Sequence, residues 1–414
     1  MRRGRLSIAY VHYGSQSGVT AAIAAALGGR GHELRLVAAT GDLEPRDPAT
    51  RRLRPAPPVV AHLALAAARY GRLALRHRWN TTYAWDRHAS RAGERLRALA
   101  PAPDLVLQNG ALFAPGLPPP LPYALLLDHT RALAQASPPW PAAGLAAPVD
   151  YGPGWRAREA AVYGGARVIA TFSANVARSL VRDYGVDRGR IAVVGAGANV
   201  FPDEAPRRDD GRTLLFVGKD FRRKGGPILL DAFARLRRRR PRARLLVAGP
   251  REVPPLPEGA FHLGPVATEE LPALLAQATA LVLPTLREPF GIAFLDAMAC
   301  AVPCVGTRVE AVPEIVVEGV TGVLVPPGDA VALAGALERL LDDPQGARAM
   351  GARGRARVAE RFTWARVAAR LERALLRAAG GDAPGPRAPR RARSVPAARA
   401  VRPPAPHEAV LTLL

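Results

Sequence analysis

The chain has 414 residues, a mass of 43.9 kDa and a formal net charge of +23, with 49% hydrophobic and 22% charged residues. That size allows two or three domains with real cores, and the composition excludes wholesale disorder. Two cysteines, Cys300 and Cys304, exclude a disulfide framework, and no apolar run nears the roughly 18 residues of a spanning helix.

Leu6–Val11 is a compact apolar run after a basic start. It is too short for the core of a secretory leader, and His12 closes it. A loop to Ser17, a helix over Gly18–Leu27, a glycine turn and a second apolar run over Leu34–Ala38 make a βαβ unit. Further buried parallel strands are expected over Asp104–Gln108, Tyr123–Leu127, Arg167–Phe172 and Ile191–Val194, with helices over Thr81–Ala100 and Trp155–Tyr163.

Pro202–Arg212 is polar and reads as a linker. A second series follows. Strands are expected over Leu214–Val217, Arg244–Ala248, Phe261–Leu263, Ala280–Leu283 and Pro303–Gly306. Helices are expected over Gly226–Arg237, Leu271–Ala278, Glu288–Ala299, Ala330–Asp342 and Asp343–Glu360, with an amphipathic one over Trp364–Ala378. The expected organisation is an α/β domain over 1–201, a linker over 202–212, a second α/β domain over 213–363, a closing helix over 364–379 returning to the first domain, and a tail over 380–414. Gly380–Pro406 holds seven prolines and six arginines with few large apolar residues, so the tail is expected to be disordered. Two doubly wound domains place a ligand cleft between the carboxyl ends of their strands.

Of 58 basic residues only two are lysines, Lys219 and Lys224, and both fall in one loop, Phe216-Val217-Gly218-Lys219-Asp220-Phe221-Arg222-Arg223-Lys224-Gly225-Gly226. Strand before, helix after, glycines that admit an anion and a free helix N-terminus suit phosphate. An exposed basic turn is the alternative. A second loop, Pro284-Thr285-Leu286-Arg287-Glu288-Pro289-Phe290-Gly291, leads into a helix carrying Asp296. Glu288 suits sugar hydroxyls. Asp296, eight positions on, is expected to share nearly the same helix face, where the two carboxylates can hold separate diols of one extended ligand; the alternative is a helix-start carboxylate at Glu288 and a surface residue at Asp296.

These loops, with Val312-Pro313-Glu314-Ile315-Val316 and Thr321-Gly322-Val323-Leu324-Val325-Pro326-Pro327-Gly328-Asp329, resemble the donor half of retaining group 1 (family 4-like) glycosyltransferases. The resemblance covers roughly residues 5–378 and is strongest over 213–345. It implies the GT-B architecture, two Rossmann-like domains facing across a cleft. It also implies transfer of a hexose-type sugar, with retention, from a nucleoside-diphosphate sugar (a UDP- or GDP-sugar) to a carbohydrate, lipid-linked or small-molecule acceptor.

By the family's motif, Lys219 and Lys224 would neutralise the pyrophosphate, and Glu288 would meet the donor sugar with the amides of Phe290, Gly291 and Ile292. Asp296 would hold the ribose, backbone near Val266 would meet the base, and Gly18 would let the facing loop approach the diphosphate. His129, in Leu127-Asp128-His129-Thr130, falls where the family often has a histidine near the reacting sugar; Asp128 competes for that role. His129, Glu288 and Lys224 are thus the catalytic candidates. No metal and no cofactor beyond the donor are expected, since no Asp-x-Asp stands at a strand end.

Three departures mark this chain. Lys219 stands where the family commonly has Arg, with Arg222 or Arg223 as substitutes; Asp296 replaces Glu; and Glu310-Ala311 replaces Gly-Gly. Glu310 is expected to point away from the pyrophosphate or to meet an arginine. The rivals are another GT-B enzyme (an epimerase or a phosphorylase), a non-catalytic sugar-nucleotide binder and a nucleic-acid-binding protein. With aromatics at 6% and none in the tail, specific nucleic-acid recognition is not expected. A cytoplasmic location is expected, with the tail and an arginine-bearing helix over Ala61–Arg78 offering peripheral contact with an anionic membrane.

Overall fold

In a computed structural model, residues 4–14, 17–40, 43, 56–71, 77–115, 121–203 and 207–380 are described. The Pro/Arg-rich segment from 381 onward, expected to be disordered, lies outside them.

Two six-stranded sheets organise these residues, and every strand pairing is parallel. The first contains β1 (Ser7–His12), β2 (Glu33–Ala38), β3 (Leu105–Asn109), β4 (Tyr123–Leu127), β5 (Val168–Thr171) and β6 (Ile191–Val193), in the order β2-β1-β3-β4-β5-β6. The second contains β7 (Thr213–Val217), β8 (Arg244–Ala248), β9 (Ala260–Gly264), β10 (Ala280–Val282), β11 (Cys304–Thr307) and β12 (Gly322–Val325), in the order β12-β11-β10-β7-β8-β9. Strands buried on both faces read as continuous apolar runs, which is why Leu105-Val106-Leu107 and Leu214-Leu215-Phe216 are wholly buried.

Each order reverses once: between β1 and β3 in the first sheet, and between β7 and β10 in the second. At such a reversal the following loops diverge to opposite faces and leave a crevice. The loops leaving β7 and β10 are the lysine loop and the Glu288 loop, so the second sheet's own topology sets the two candidate loops side by side.

The helix Trp364–Gly380 packs against the helix Val19–Gly28 and against strands of the first sheet. Its apolar stripe, Val367, Leu371 and Leu375, is fully buried. Glu372 fixes its outer side, accepting a 2.9 Å contact from the buried His32 ring and a salt bridge from Arg30. His32 Nδ1 in turn accepts the Leu6 N–H at 3.2 Å. Gly197 lies under Trp364, where a Cβ would come within 2.6 Å of the indole.

Two helices differ from expectation. The one expected over Ala61–Arg78 runs over Pro57–Tyr70 and ends at Gly71, whose φ of 51° leaves the helical region; residues 72–76 of the expected span lie outside the described residues, and Arg78–Asn80 form a 3-10 turn. The one expected over Glu288–Ala299 begins only at Ile292. Pro289 has no N–H to give, and Gly291, at φ 114°, breaks the helical path. Glu288 therefore stands on a loop, and it does not share a helix face with Asp296.

Candidate functional site

Gly225 and Pro284 hold the two loops together. Gly225 has φ 75°, and a Cβ on it would fall 1.9 Å from the Pro284 carbonyl oxygen, so only glycine fits between the chains. Leu286 N–H donates to Arg223 O at 2.9 Å, and Arg223 Nη1 donates to Arg287 O at 2.7 Å. On this frame Lys224 Nζ donates to Glu288 Oε2 in a short, buried ion pair. Burial pushes the Lys224 ammonium's pKa down, while Glu288 opposes that shift. Thr285 Oγ1 at 3.5 Å and Arg223 Nη1 at 3.7 Å also face the Glu288 carboxylate. A lysine and a glutamate that are almost never buried singly are here buried as a pair.

Lys219 is placed differently. It is exposed and makes no ion pair or hydrogen bond among the described residues. Arg222, a candidate substitute, donates to Gly144 O at 3.4 Å across the cleft.

Asp296, on the helix Ile292–Ala299, is buried and turned towards the crossing between the halves. Its Oδ1 accepts the N–H of Asn199 at 2.6 Å and of Val200 at 3.2 Å. Burial pushes the carboxyl up to about 7 despite both hydrogen bonds. Asn199 also donates through Nδ2 to Ser17 O at 2.8 Å, and its amide lies where a Cβ on Gly18 (φ 84°) would meet it at 3.2 Å. One chain of contacts thus runs from the Gly18 loop through Asn199 to Asp296. Phe290 is buried with its ring edge-on to Phe172, centroids 5.5 Å apart, joining the halves a second time. Val266 is half-buried against the core beyond β9.

His129 leaves the end of β4 and reaches across the cleft. Its Nε2 lies 3.3 Å from Glu310 Oε1. Among the described residues Glu310 is not paired with an arginine, so of the two expected arrangements that one is not taken. Its carboxylate takes His129, the Ser137 hydroxyl at 3.3 Å and the backbone N–H of Glu288. Burial opposes its ionisation, but these donors outweigh burial and hold the Glu310 carboxyl below the usual carboxylate range. On the N-terminal side, Asp128, His129, Arg131, Tyr151 and the buried Glu159 line a cavity of about 130 Å³. Burial raises the Glu159 pKa, and Tyr163 (2.9 Å) and Tyr184 donate to its carboxyl.

The segment 137–146 straps the two halves together, with Arg287 Nη2 donating to Pro138 O (3.0 Å) and Ala146 O (2.7 Å). The sequence marks His129, Asp296, Phe290 and Glu310, the last by its departure from Gly-Gly, but not their cross-cleft partners Ser137, Phe172 and Val200. Among the described residues no group of three or more His, Cys, Asp or Glu side chains is placed to hold a metal ion, and no helix is long and apolar enough to cross a membrane.

Two doubly wound parallel sheets, with anion-suited loops at the second sheet's reversal and a histidine facing them from the first, define the GT-B architecture. Sucrose-phosphate synthase from Thermosynechococcus elongatus has this fold, with a TM-score of 0.68 over 92% of this chain and all of that one, at 21% identity. Anabaena HepE, solved in complex with UDP-glucose, matches with a TM-score of 0.61 over 89% of this chain and 99% of that one, at 15% identity. Residues 211–343 match the family of group 1 glycosyl transferases. A D-inositol 3-phosphate glycosyltransferase of Pseudarthrobacter chlorophenolicus is 36% identical over 233 residues, 50% of this chain and 55% of that protein. A glycogen synthase of Mycobacterium tuberculosis is 34% identical over 236 residues, 53% of this chain and 57% of that enzyme. The matched stretches thus span a little over half the length of these curated relatives.

Proposed function

We propose that the chain is a retaining glycosyltransferase that moves a hexose-type sugar from a UDP- or GDP-sugar to a carbohydrate, lipid-linked or small-molecule acceptor. Residues 213–363 bind the donor, 1–201 present the acceptor, and the helix over 364–379 closes the molecule onto the first half. The observation that carries this reading is the buried Lys224–Glu288 pair at the reversal of a sheet whose residues match the family.

Breaking the glycosidic C–O bond builds negative charge on the leaving diphosphate and positive charge on the sugar ring. Lys224 holds a desolvated ammonium ready for the phosphate oxygens, where a charge counts for more than in water. Glu288, facing the same point, takes the sugar's hydroxyls, with the Phe290, Gly291 and Ile292 amides beside it. Asp296 holds the ribose through Oδ2, the oxygen its backbone partners leave open. His129 orients the reacting sugar from the acceptor side. No residue is assigned as a nucleophile, and the leaving phosphate itself is read as assisting same-face attack. The reaction is read as metal-independent and cytoplasmic, with peripheral contact to an anionic membrane as a further element.

Thermal stabilisation by UDP, GDP, ADP and inorganic phosphate tests the donor site on wild type, Lys224→Ala and Lys224→Arg. One nucleoside diphosphate should stabilise wild type selectively, with the effect lost in the alanine variant and partly kept in the arginine one. No stabilisation by any diphosphate at millimolar concentration would overturn the reading and favour the nucleic-acid alternative.

A further inference from the structure

Glu310 is one of three non-glycine residues with positive φ among the described residues, at 44°. Left-handed backbone costs an L-residue of this kind, and such strain concentrates where a side chain must be aimed at a site. The side chain is aimed at the cleft. It lies between His129 and Ser137 of the first half and the amide of Glu288 in the second, and only 14% of it is exposed.

The local charges are uneven. Lys224 already faces Glu288, and Arg223 sits 3.7 Å from that same carboxylate. Arg222 donates to Gly144 O, and Arg287 donates to Pro138 O and Ala146 O. Glu310 is left with a histidine, a hydroxyl and an amide, none of which is a fixed cation. Asp128 adds another carboxylate beside His129.

The geometry points to Glu310 as a specificity-determining residue of the donor-sugar pocket, one that admits an uncharged sugar and rejects a sugar carrying a carboxylate. This rests on the donor-site reading above. A hydroxyl can donate to the Glu310 oxygens, whereas a second carboxylate brings two like charges together in a partly dry cleft. Specificity of this kind comes from the repulsive element as much as from the attractive one.

The test uses two pairs of donors that differ only in a hydroxymethyl or a carboxylate at the sugar's C6: UDP-glucose with UDP-glucuronic acid, and GDP-mannose with GDP-mannuronic acid. Kd values are measured by titration calorimetry on the full chain, on Glu310→Gln and on Glu310→Gly; glycine accepts the left-handed backbone, so the second variant keeps the loop's path. With whichever nucleotide binds, wild type should favour the neutral sugar by about tenfold or more, and both variants should shrink that ratio by about tenfold. Free UDP or GDP should bind all three forms within about threefold, because the substitution touches the sugar pocket rather than the phosphate loop. An unchanged ratio in the variants, or equal binding of both sugars by wild type, overturns the role of Glu310 while leaving the donor site standing. Failure of every nucleotide to bind any form overturns the donor site and this inference together.

Discussion

Replacing Asp296 by asparagine isolates the energetic cost of one buried carboxyl. Both of its hydrogen bonds end on Oδ1, at 2.6 and 3.2 Å, so an asparagine carbonyl can accept both. Its carboxyl is raised from 3.8 to about 7, chiefly by burial. A raised folded-state value means that the folded form holds the proton more tightly. The associated stability is complete below 3.8 and is lost as the pH climbs through about 7. At about 1.4 kcal/mol per pH unit, ionisation at pH 8 withdraws at most about 4 kcal/mol. Relaxation around the ionised group reduces that, so about 1–3 kcal/mol is expected. With about 2–4 °C of Tm per kcal/mol, the wild type should lose several degrees between pH 5 and pH 8 relative to Asp296→Asn. Differential scanning fluorimetry of both proteins across that range reads the difference directly, with common pH effects cancelling. Parallel curves, or a variant less stable than wild type at pH 8, would mean that burial of the Asp296 carboxyl carries no such cost. If the variant gains stability while its affinity for the nucleoside diphosphate falls, the ribose-holding role is separated from any structural one.

Other substitutions test the frame around the site. Gly225→Ala places a Cβ 1.9 Å from Pro284 O at a φ of 75°, so the two loops must part; a loss of about 3 kcal/mol or more is expected in thermal melts followed by circular dichroism, and unaltered stability would contradict the close packing. Glu372→Ala removes the acceptor of the buried His32 ring and the partner of Arg30, costing about 1–3 kcal/mol in urea denaturation. The same variant should be cleaved faster by trypsin near the helix Trp364–Gly380 while keeping its affinity for nucleotide, because that helix lies on the first sheet.

Much of the second half is legible because its strands are unbroken apolar runs between glycines and prolines, so Leu214–Val217 and Arg244–Ala248 can be read almost to the residue. The lysine census likewise marks the loop leaving β7, and the structure buries Lys224 there against Glu288. It separates Lys219, and nothing in the spacing of the two lysines forecasts that. Periodicity misleads at Glu288–Gly291. The apolar pattern runs on from the helix, while Pro289 and the left-handed Gly291 cut the backbone path that the pattern assumes. Contacts across the cleft are invisible to local patterns. His129 and Glu310 are 181 positions apart, and Asp296 finds its partners 96 and 97 positions away, on the segment joining the two sheets.

Turnover tests bond breaking at the Lys224–Glu288 site. Wild type, Lys224→Ala and Lys224→Arg are each incubated with UDP-glucose and GDP-mannose without acceptor, and released nucleoside diphosphate is followed by chromatography. Wild type should release one diphosphate slowly through attack by water. The alanine variant should be slower by about 100-fold or more, as when a charge stabilising the leaving group is lost, and the arginine variant should fall between. Binding of a nucleoside diphosphate with no release from either sugar nucleotide, or equal release by all three proteins, would contradict the claim that this site breaks a glycosidic bond.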